Sequence, residues 1–245
     1  MENTVQTDTL LNGYKILQDK ERFMFGIDAV LLANFTASAI KPANKIIDLG
    51  TGNGIIPLLL TDKVTHITGL EIQQESAALA QKSVELNSLE TKIKIVNGDI
   101  KKVSQLFEKH SFDCVTSNPP YMIGDHGKQS PFDAKAIARH EILCNLEDVI
   151  SAADYLLKTH GSFFLIHRPF RIPEIFSSLY KHKMEPKRMQ LVSPFLHTEP
   201  NIVIIEARKN ANPRLKIEPE IVVYNKPGEY TKEIQEIYNN IGKKD

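Results

Sequence analysis

The residues with the most evident chemistry are Asn118, Pro119, Pro120 and Tyr121, which directly follow the apolar run 112–117. If that run is a buried strand, two acceptors lie at the sheet edge: the Asn118 side-chain oxygen and the Pro119 main-chain oxygen. The prolines hold φ at about −65° and lack N–H groups, so the acceptors stay aimed outward. Two acceptors suit an NH2 group, and the Tyr121 ring can stack on the planar group that carries it. A proline-rich turn after any strand has the same composition. The residues upstream must therefore decide between an amine-binding site and an ordinary turn.

A glycine-rich turn at 48–54, Asp-Leu-Gly-Thr-Gly-Asn-Gly, joins an apolar run to a helical pattern. Glycines allow positive φ and close backbone approach, and the helix N-terminus that follows offers N–H groups to a ligand. The spacing G-x-G-x-G differs from the dinucleotide fingerprint G-x-G-x-x-G. The negative charge of Asp48 also disfavours binding of an anionic ligand in this loop. A carboxylate favours a cationic ligand, such as the ammonium and sulfonium of S-adenosylmethionine, over a pyrophosphate.

Two further carboxylates follow predicted strands. Glu71 ends the second strand, where it can accept hydrogen bonds from both hydroxyls of a ribose. Asp99 follows the third strand and can accept a bond from an adenine amino group, but it can equally cap a helix that begins near Lys101. These features lie at the carboxyl ends of successive strands, where α/β folds bind ligands. Together they favour a methyltransferase over an unrelated α/β fold.

The elements that must position these residues alternate between short β-branched runs and longer amphipathic stretches, which predicts a doubly wound α/β sheet. We predict one domain over 1–245, with an N-terminal segment at 1–44, a core at 45–210 and a polar tail at 211–245 that wraps the domain or frays. The predicted strands are 45–49, 66–72, 92–96, 112–117, 161–167, 189–193 and 201–207. The predicted helices are 28–39, 55–61, 73–87, 146–157 and 169–181.

Composition limits the class of protein. The chain has 245 residues, 42% of them apolar, which is enough for a full core. Thirty Lys and Arg balance thirty Asp and Glu, so any contact with RNA must be local. Basic residues do gather at 167–168, 171, 181–183 and 187–188, as they also do on solvated helix faces.

Other sequence features exclude further classes. The two cysteines, Cys114 and Cys144, lack the spacing of metal ligands or of a disulfide framework, so we expect no metal. The polar N-terminus and the absence of about 18 consecutive apolar residues predict a cytoplasmic protein without membrane attachment. We expect a monomer with no obligate protein partner.

On these residues the chain resembles the class I S-adenosylmethionine-dependent methyltransferases: 48–54 matches their cofactor loop and 118–121 their amino-methylating motif. Residues 23–33 and 138–141 are similar to the bacterial tRNA adenine-N6 methyltransferases that modify a valine tRNA. The resemblance implies a Rossmann-like, seven-stranded, mostly parallel sheet with an antiparallel last strand, helices on both faces, and a segment around 25–28 that closes over the cofactor. Met122 departs from related sequences, which often carry a second aromatic residue there.

The resemblance also assigns roles to residues. It places Asn118, Pro119, Pro120 and Tyr121 at the target base. The implied contacts to S-adenosylmethionine are Phe25, Asp28, Asp48, Gly50, Thr51, Gly52, Asn53, Glu71, Asp99, Ile100 and Asn118.

The implied activity is N6-methylation of an adenine in tRNA, at adenosine 37 of a valine tRNA. A glutamine side-chain amide in a protein fits the same motif, although release-factor methyltransferases carry a helical domain where only 47 residues precede Asp48. Guanine-N2 methylation of ribosomal RNA stays open. DNA methylation and a non-catalytic cofactor-binding module are less favoured. Residues 122–138 are predicted to form a lid, and Arg139 and His140 either contact phosphate or pair with Glu141.

Overall fold

The computed structural model describes residues 5–10, 12–19, 26–119 and 144–241. The strands are β1 Val5–Thr9, β2 Lys15–Asp19, β3 Lys45–Leu49, β4 His66–Glu71, β5 Ile93–Asn97, β6 Phe112–Ser117, β7 Leu157–His167, β8 Met184–Phe195, β9 Ile202–Lys209, β10 Lys216–Ile217, β11 Ile221–Lys226 and β12 Glu229–Tyr230. The helices are α1 Ile27–Ala37, α2 Ile55–Leu60, α3 Gln74–Leu86, α4 Val103–Leu106, α5 Leu146–Leu156, α6 Ile172–Lys181 and α7 Lys232–Asn240. Two 3-10 turns cover Ile100–Lys102 and Pro169–Arg171.

A central sheet runs in the order β12-β11-β8-β9-β7-β6-β3-β4-β5, with β10 beside β8. The strands from β8 through β5 are parallel except β9, which is antiparallel to both β7 and β8. The predicted Rossmann-like fold with an antiparallel last strand is therefore confirmed. Successive residues of a strand face opposite sides, and Ile46 and Ile47 accordingly enter two different core layers. Helices α1 and α2 contribute to the first layer, and α5 and α6 to the second.

The predicted count of seven strands is too low, since ten strands join this sheet among the described residues. The additional strands belong to the tail, whose described residues 211–241 do not fray but add to the edge of the sheet and cover one of its faces. Ile221 and Val223 are buried in β11, which pairs in parallel with β8. Helix α7 then buries Ile234 and Ile237 in the first core layer. The tail thus extends the sheet because its short apolar runs cover the edge strand.

A two-stranded hairpin of β1 and β2 precedes α1, where the sequence analysis predicts no strand. It is fastened by polar bonds: the Leu17 amide donates to Ser83 Oγ at 3.0 Å, and Tyr14 Oη donates to Asp62 at 2.8 Å. The pair Asn12-Gly13, with φ of +83° at Gly13, is the sequence signal that could have revealed it. The hairpin lies against α2 and α3.

Candidate active site at the carboxyl edge of the sheet

The register of the central strands brings the predicted residues together. Leu49 is in register with the last residue of β6 and with the penultimate residue of β4. The residues that follow them are Asn118, directly after β6, and Glu71, the last residue of β4, so both lie beside Gly50. Glu71 is in turn paired with the last residue of β5, two positions before Asp99. Residues far apart in sequence therefore meet at one edge.

Asp48 is a buried carboxylate at this edge, only 1% exposed. Its Oδ1 accepts a hydrogen bond from Thr116 Oγ1 at 2.6 Å, and its Oδ2 has no hydrogen-bond partner within the described ranges. Burial raises the pKa of Asp48 to about 7, and the charge of Glu71 acts in the same direction. The Thr116 hydrogen bond and the nearby Thr51 hydroxyl lower it, although Thr51 Oγ1 lies outside hydrogen-bond geometry. The site therefore holds an uncompensated acidic group, which suits a cationic ligand.

The glycine-rich turn is anchored on one side and open on the other. The amides of Gly50 and Thr51 both donate to the Leu70 carbonyl, at 2.9 and 3.0 Å. Gly50 and Gly52 have φ of +73° and +59°, and a Cβ at either position would meet nothing within 4 Å. Only glycine adopts this conformation without strain. The open space in front of the turn can admit a ligand close to the backbone.

Glu71 connects the turn to the end of β4. Its Oε2 accepts from the Gly52 amide at 2.9 Å and its Oε1 from the Gln73 amide at 2.8 Å. The residue is 5% exposed. A carboxylate has about four lone-pair sites, so the two backbone bonds orient Glu71 and leave it capacity for hydroxyl donors.

Asp99 caps a 3-10 turn, because its Oδ1 accepts from the Lys101 amide at 2.9 Å. This confirms one of the two roles considered for it; the contact to an adenine amino group stays a prediction. Ile100 packs against the second core layer. Asn97, which the sequence analysis missed, donates from Nδ2 to the carbonyls of Glu71 and Ile72, at 2.8 and 3.1 Å. The end of β5 is thereby held against β4.

The hairpin also reaches this site. Asn53 Nδ2 donates to Oε1 of Gln18 at 3.5 Å, and Gln18 is only 4% exposed. Gln18 is a residue that the sequence analysis missed, since it belongs to the unpredicted strand β2. Asp28 lies in the first turn of α1, whereas Phe25 falls outside the described residues.

The amine-binding motif begins where β6 ends. Asn118 and Pro119 are half-buried, and the preceding Ser117 donates from Oγ to the Leu49 carbonyl at 2.9 Å. This bond fixes the end of β6 beside the glycine-rich turn. The remaining predictions of this region lie outside the described residues: Pro120, Tyr121, Met122, the lid at 122–138, Arg139, His140 and Glu141.

His167, one of the basic residues considered for contact with RNA, is not at the surface. It is 3% exposed, and its Nδ1 accepts from the Arg168 amide at 2.8 Å. Burial lowers the pKa of His167 to about 4, and the positive charge of Arg171 contributes. The imidazole is therefore neutral near pH 7. Register places it level with Pro119, because Leu165 pairs with the last residue of β6.

Arg188 likewise serves the fold. Its Nε donates to Glu218 Oε1 at 2.8 Å, its Nη1 lies 3.3 Å from Glu206 Oε2, and its guanidinium stacks 4.2 Å from the centroid of the Phe35 ring. Lys181 and His182 pair with Glu147, at 2.5 and 2.9 Å. These three basic residues thus bind protein carboxylates, and contact of the basic residues at 167–188 with RNA stays a prediction.

Among the described helices, none has the length and apolar character of a membrane span.

Comparisons with known proteins agree with this architecture. The chain spans 64% of the tRNA1(Val) (adenine(37)-N6)-methyltransferase of Histophilus somni, at 32% identity over 62% of this chain. The protein of the same name from Porphyromonas gingivalis is 28% identical over 85% of this chain and 84% of its own length. The structure of a predicted O-methyltransferase from Agrobacterium tumefaciens superposes with a TM-score of 0.68 and 23% identity, covering 88% of this chain and 96% of that one. The family model described as the methyltransferase small domain matches residues 27–185. The resemblance to class I methyltransferases is thus confirmed, and the chain belongs to the methyltransferase small domain family.

Proposed function

We propose that this protein is an S-adenosylmethionine-dependent methyltransferase that modifies N6 of an adenine in tRNA, at adenosine 37 of a valine tRNA. The observation that carries the proposal is the register that sets Asn118 and Pro119 beside the glycine-rich turn and the buried carboxylate of Asp48. The names of the relatives support tRNA as the substrate.

The residues at the sheet edge fit the cofactor. Asp48 offers a cation a buried carboxylate oxygen that has no partner among residues 5–10, 12–19, 26–119 and 144–241, and the turn at Gly50 and Gly52 leaves room for a ligand against the backbone. Glu71 has acceptor capacity for the hydroxyls of a ribose, and Asp99 is placed for an adenine amino group. When bound, S-adenosylmethionine supplies an electrophilic methyl group on its sulfonium.

The amine-binding motif has to make a poor nucleophile reactive, because the lone pair of adenine N6 is delocalised into the ring. Asn118 Oδ1 and the Pro119 carbonyl accept the two N6 hydrogens and favour a pyramidal nitrogen. These acceptors bind more strongly as positive charge grows on N6, so they stabilise the transition state more than the ground state. Tyr121 replaces the stacking that the base loses when it leaves the RNA loop, worth about 1–3 kcal/mol.

No dedicated general base is required, because N6 becomes strongly acidic once it is cationic, and its proton passes to water. His167 lies level with Pro119, and its neutral imidazole adds no repulsion to the growing charge.

The test is to incubate the protein with methyl-labelled S-adenosylmethionine and total tRNA from cells that lack its gene, then digest the RNA and identify the labelled nucleoside. N6-methyladenosine at position 37 of a valine tRNA is expected. A parallel incubation replaces the tRNA with translation factors, and label that enters these proteins but not the RNA would contradict the proposal and favour glutamine methylation.

Asn118→Ala is the matched variant for this assay. Loss of the side-chain acceptor should reduce turnover at least about 100-fold, the usual effect of removing one transition-state hydrogen bond. Binding of S-adenosylmethionine, measured by calorimetry, should persist. Turnover equal to that of the unmodified protein would rule out the assigned role of Asn118.

A further inference from the structure

The two most exposed large hydrophobic side chains in the described ranges are Leu196 at 67% and Phe170 at 64%. Both lie at the carboxyl edge of the sheet: Phe170 shortly follows β7 and Leu196 directly follows β8. A single exposed apolar residue is ordinary. Two of them on loops at the edge that carries Asn118 point to a contact surface.

The backbone that carries Phe170 is held in place. Phe170 is the middle residue of the 3-10 turn that begins with Pro169, and the Arg171 amide closes this turn on the Arg168 carbonyl at 3.1 Å. The buried imidazole of His167 accepts from the Arg168 amide and fixes the start of the turn. A backbone already held in position loses little conformational entropy on binding, so the ordering cost is confined to the side chain.

The loop that carries Leu196 is also closed. The Phe195 amide donates a hydrogen bond to Thr198 Oγ1 at 3.1 Å, and the Thr198 amide donates one to the Phe195 carbonyl at 3.2 Å. Arg168 Nη1 donates to the Asn201 carbonyl at 2.9 Å, so it bridges from the Phe170 turn to this loop. The two exposed side chains are therefore carried by loops that are linked to each other.

Strand spacing gives the distance of this surface from the target amine. Strand β7 is adjacent to β6, so the Phe170 turn lies about 5 Å in strand spacing from Asn118. Strand β8 lies three spacings from β6, which is about 14 Å across the sheet. It also continues past Leu191, which is level with His167, so the loop of Leu196 projects about 15 Å beyond that level. An RNA loop that places one base at Asn118 would bring its neighbouring nucleotides against the Phe170 turn and the Leu196 loop.

We propose that Phe170 and Leu196 form an apolar rim that contacts the unpaired bases flanking the target adenine, with Phe170 stacking on one of them. The inference rests on the proposed function. Extruding one base leaves its neighbours partly unstacked, and RNA loops are recognised by stacking such bases on aromatic side chains. Because the stacking surface of a base is common to all four nucleotides, the rim contributes affinity for a loop rather than sequence specificity.

The experiment compares Phe170→Ala, Leu196→Ala and Tyr180→Ala. Tyr180 is a matched control, since it is 54% exposed but lies near the far end of α6. With total tRNA as substrate, Phe170→Ala should raise KM about 5- to 150-fold, which is the cost of one lost base stack. The kcat value and the binding of S-adenosylmethionine should stay within about twofold. Leu196→Ala should raise KM less, and Phe170→Trp should preserve it.

A second measurement keeps this inference separate from the proposed function. Anisotropy of a labelled single-stranded oligoadenylate of about ten nucleotides reports RNA binding without turnover. Phe170→Ala should weaken it and Tyr180→Ala should not. If Phe170→Ala matches Tyr180→Ala in both assays, the rim does not contact RNA. If the unmodified protein methylates no RNA, the proposed function fails, and the anisotropy comparison still decides on the rim.

Discussion

Replacing Asp48 by Asn should make the ligand-free protein more stable while weakening its binding of the cofactor. The Asp48 carboxylate is buried, and only one of its oxygens has a hydrogen-bond partner among the residues described. Keeping it charged in the folded state therefore costs free energy, whereas Asn keeps the acceptor for Thr116 and carries no charge.

The magnitude follows from the shift in pKa. The pKa of Asp48 is about 7 in the folded protein, against 3.8 for an Asp side chain in the unfolded chain. The two values differ by about three pH units, and each pH unit corresponds to about 1.4 kcal/mol. The pKa of Asp48 is higher in the folded state, so the contribution of this group to stability is complete below about pH 4, where it is protonated in both states. That contribution is lost as the pH rises through about 7, because the buried group then becomes charged. The Asn variant has no group to ionise here, so it does not lose this stability. Its free energy of unfolding should exceed that of the unmodified protein by about 4 kcal/mol at pH 8.

The assay is urea denaturation of both proteins without cofactor, between about pH 5 and pH 8. The difference in free energy of unfolding should rise by about 1.4 kcal/mol per pH unit until it levels off above the pKa of Asp48. Cofactor affinity should fall about 10- to 100-fold in the variant, as for the loss of a charge-assisted contact. Parallel pH profiles for the two proteins would show that the burial of this carboxylate is not costly.

Asp113→Asn is the control, because it also replaces an Asp by an Asn on a strand of the central sheet. Asp113 pairs with Lys158 at 2.7 Å and accepts from the Lys45 amide at 2.8 Å. These partners lower its pKa, against the opposing effect of partial burial. Its contribution is present above the unfolded-state pKa and is lost as the pH falls, so Asp113→Asn should destabilise near neutral pH by less than about 1 kcal/mol.

Two other substitutions test the scaffold. Gly50→Ala should lower the free energy of unfolding by about 1–2 kcal/mol, because φ is +73° at this position. Calorimetry should also show weaker binding of the cofactor. An unchanged affinity would mean that the ligand does not approach this backbone. Arg188→Met should cost about 1.5–3 kcal/mol in urea denaturation, since it removes a charged partner of the buried Glu206, which keeps its pair with Arg208. Lys216→Ala, which removes the pair of an exposed Lys with Glu218, should cost under about 1 kcal/mol. Equal losses in the two variants would refute the role of Arg188.

Much of the site is predictable because parallel strands place their carboxyl ends at one edge. Asp48, Gly50, Glu71 and Asn118 each follow from a strand pattern and the residue type at its end, and the register of β3, β4 and β6 brings them together as expected. Their individual contacts with cofactor and base stay predictions. The hairpin was missed despite its Asn12-Gly13 turn, since β1 is short and polar.

The sequence by itself determined the order of the main strands and helices between residues 45 and 210, the glycine-rich turn and the type of chemistry at Asn118, because these depend on local pattern and on residue type. Only the tertiary structure decided which polar groups are exposed. His167 and Arg188 are basic in composition, yet one is buried and neutral and the other binds carboxylates, whereas Phe170 is apolar and exposed. Burial and pairing depend on neighbours that lie far away in sequence, and no local pattern encodes them.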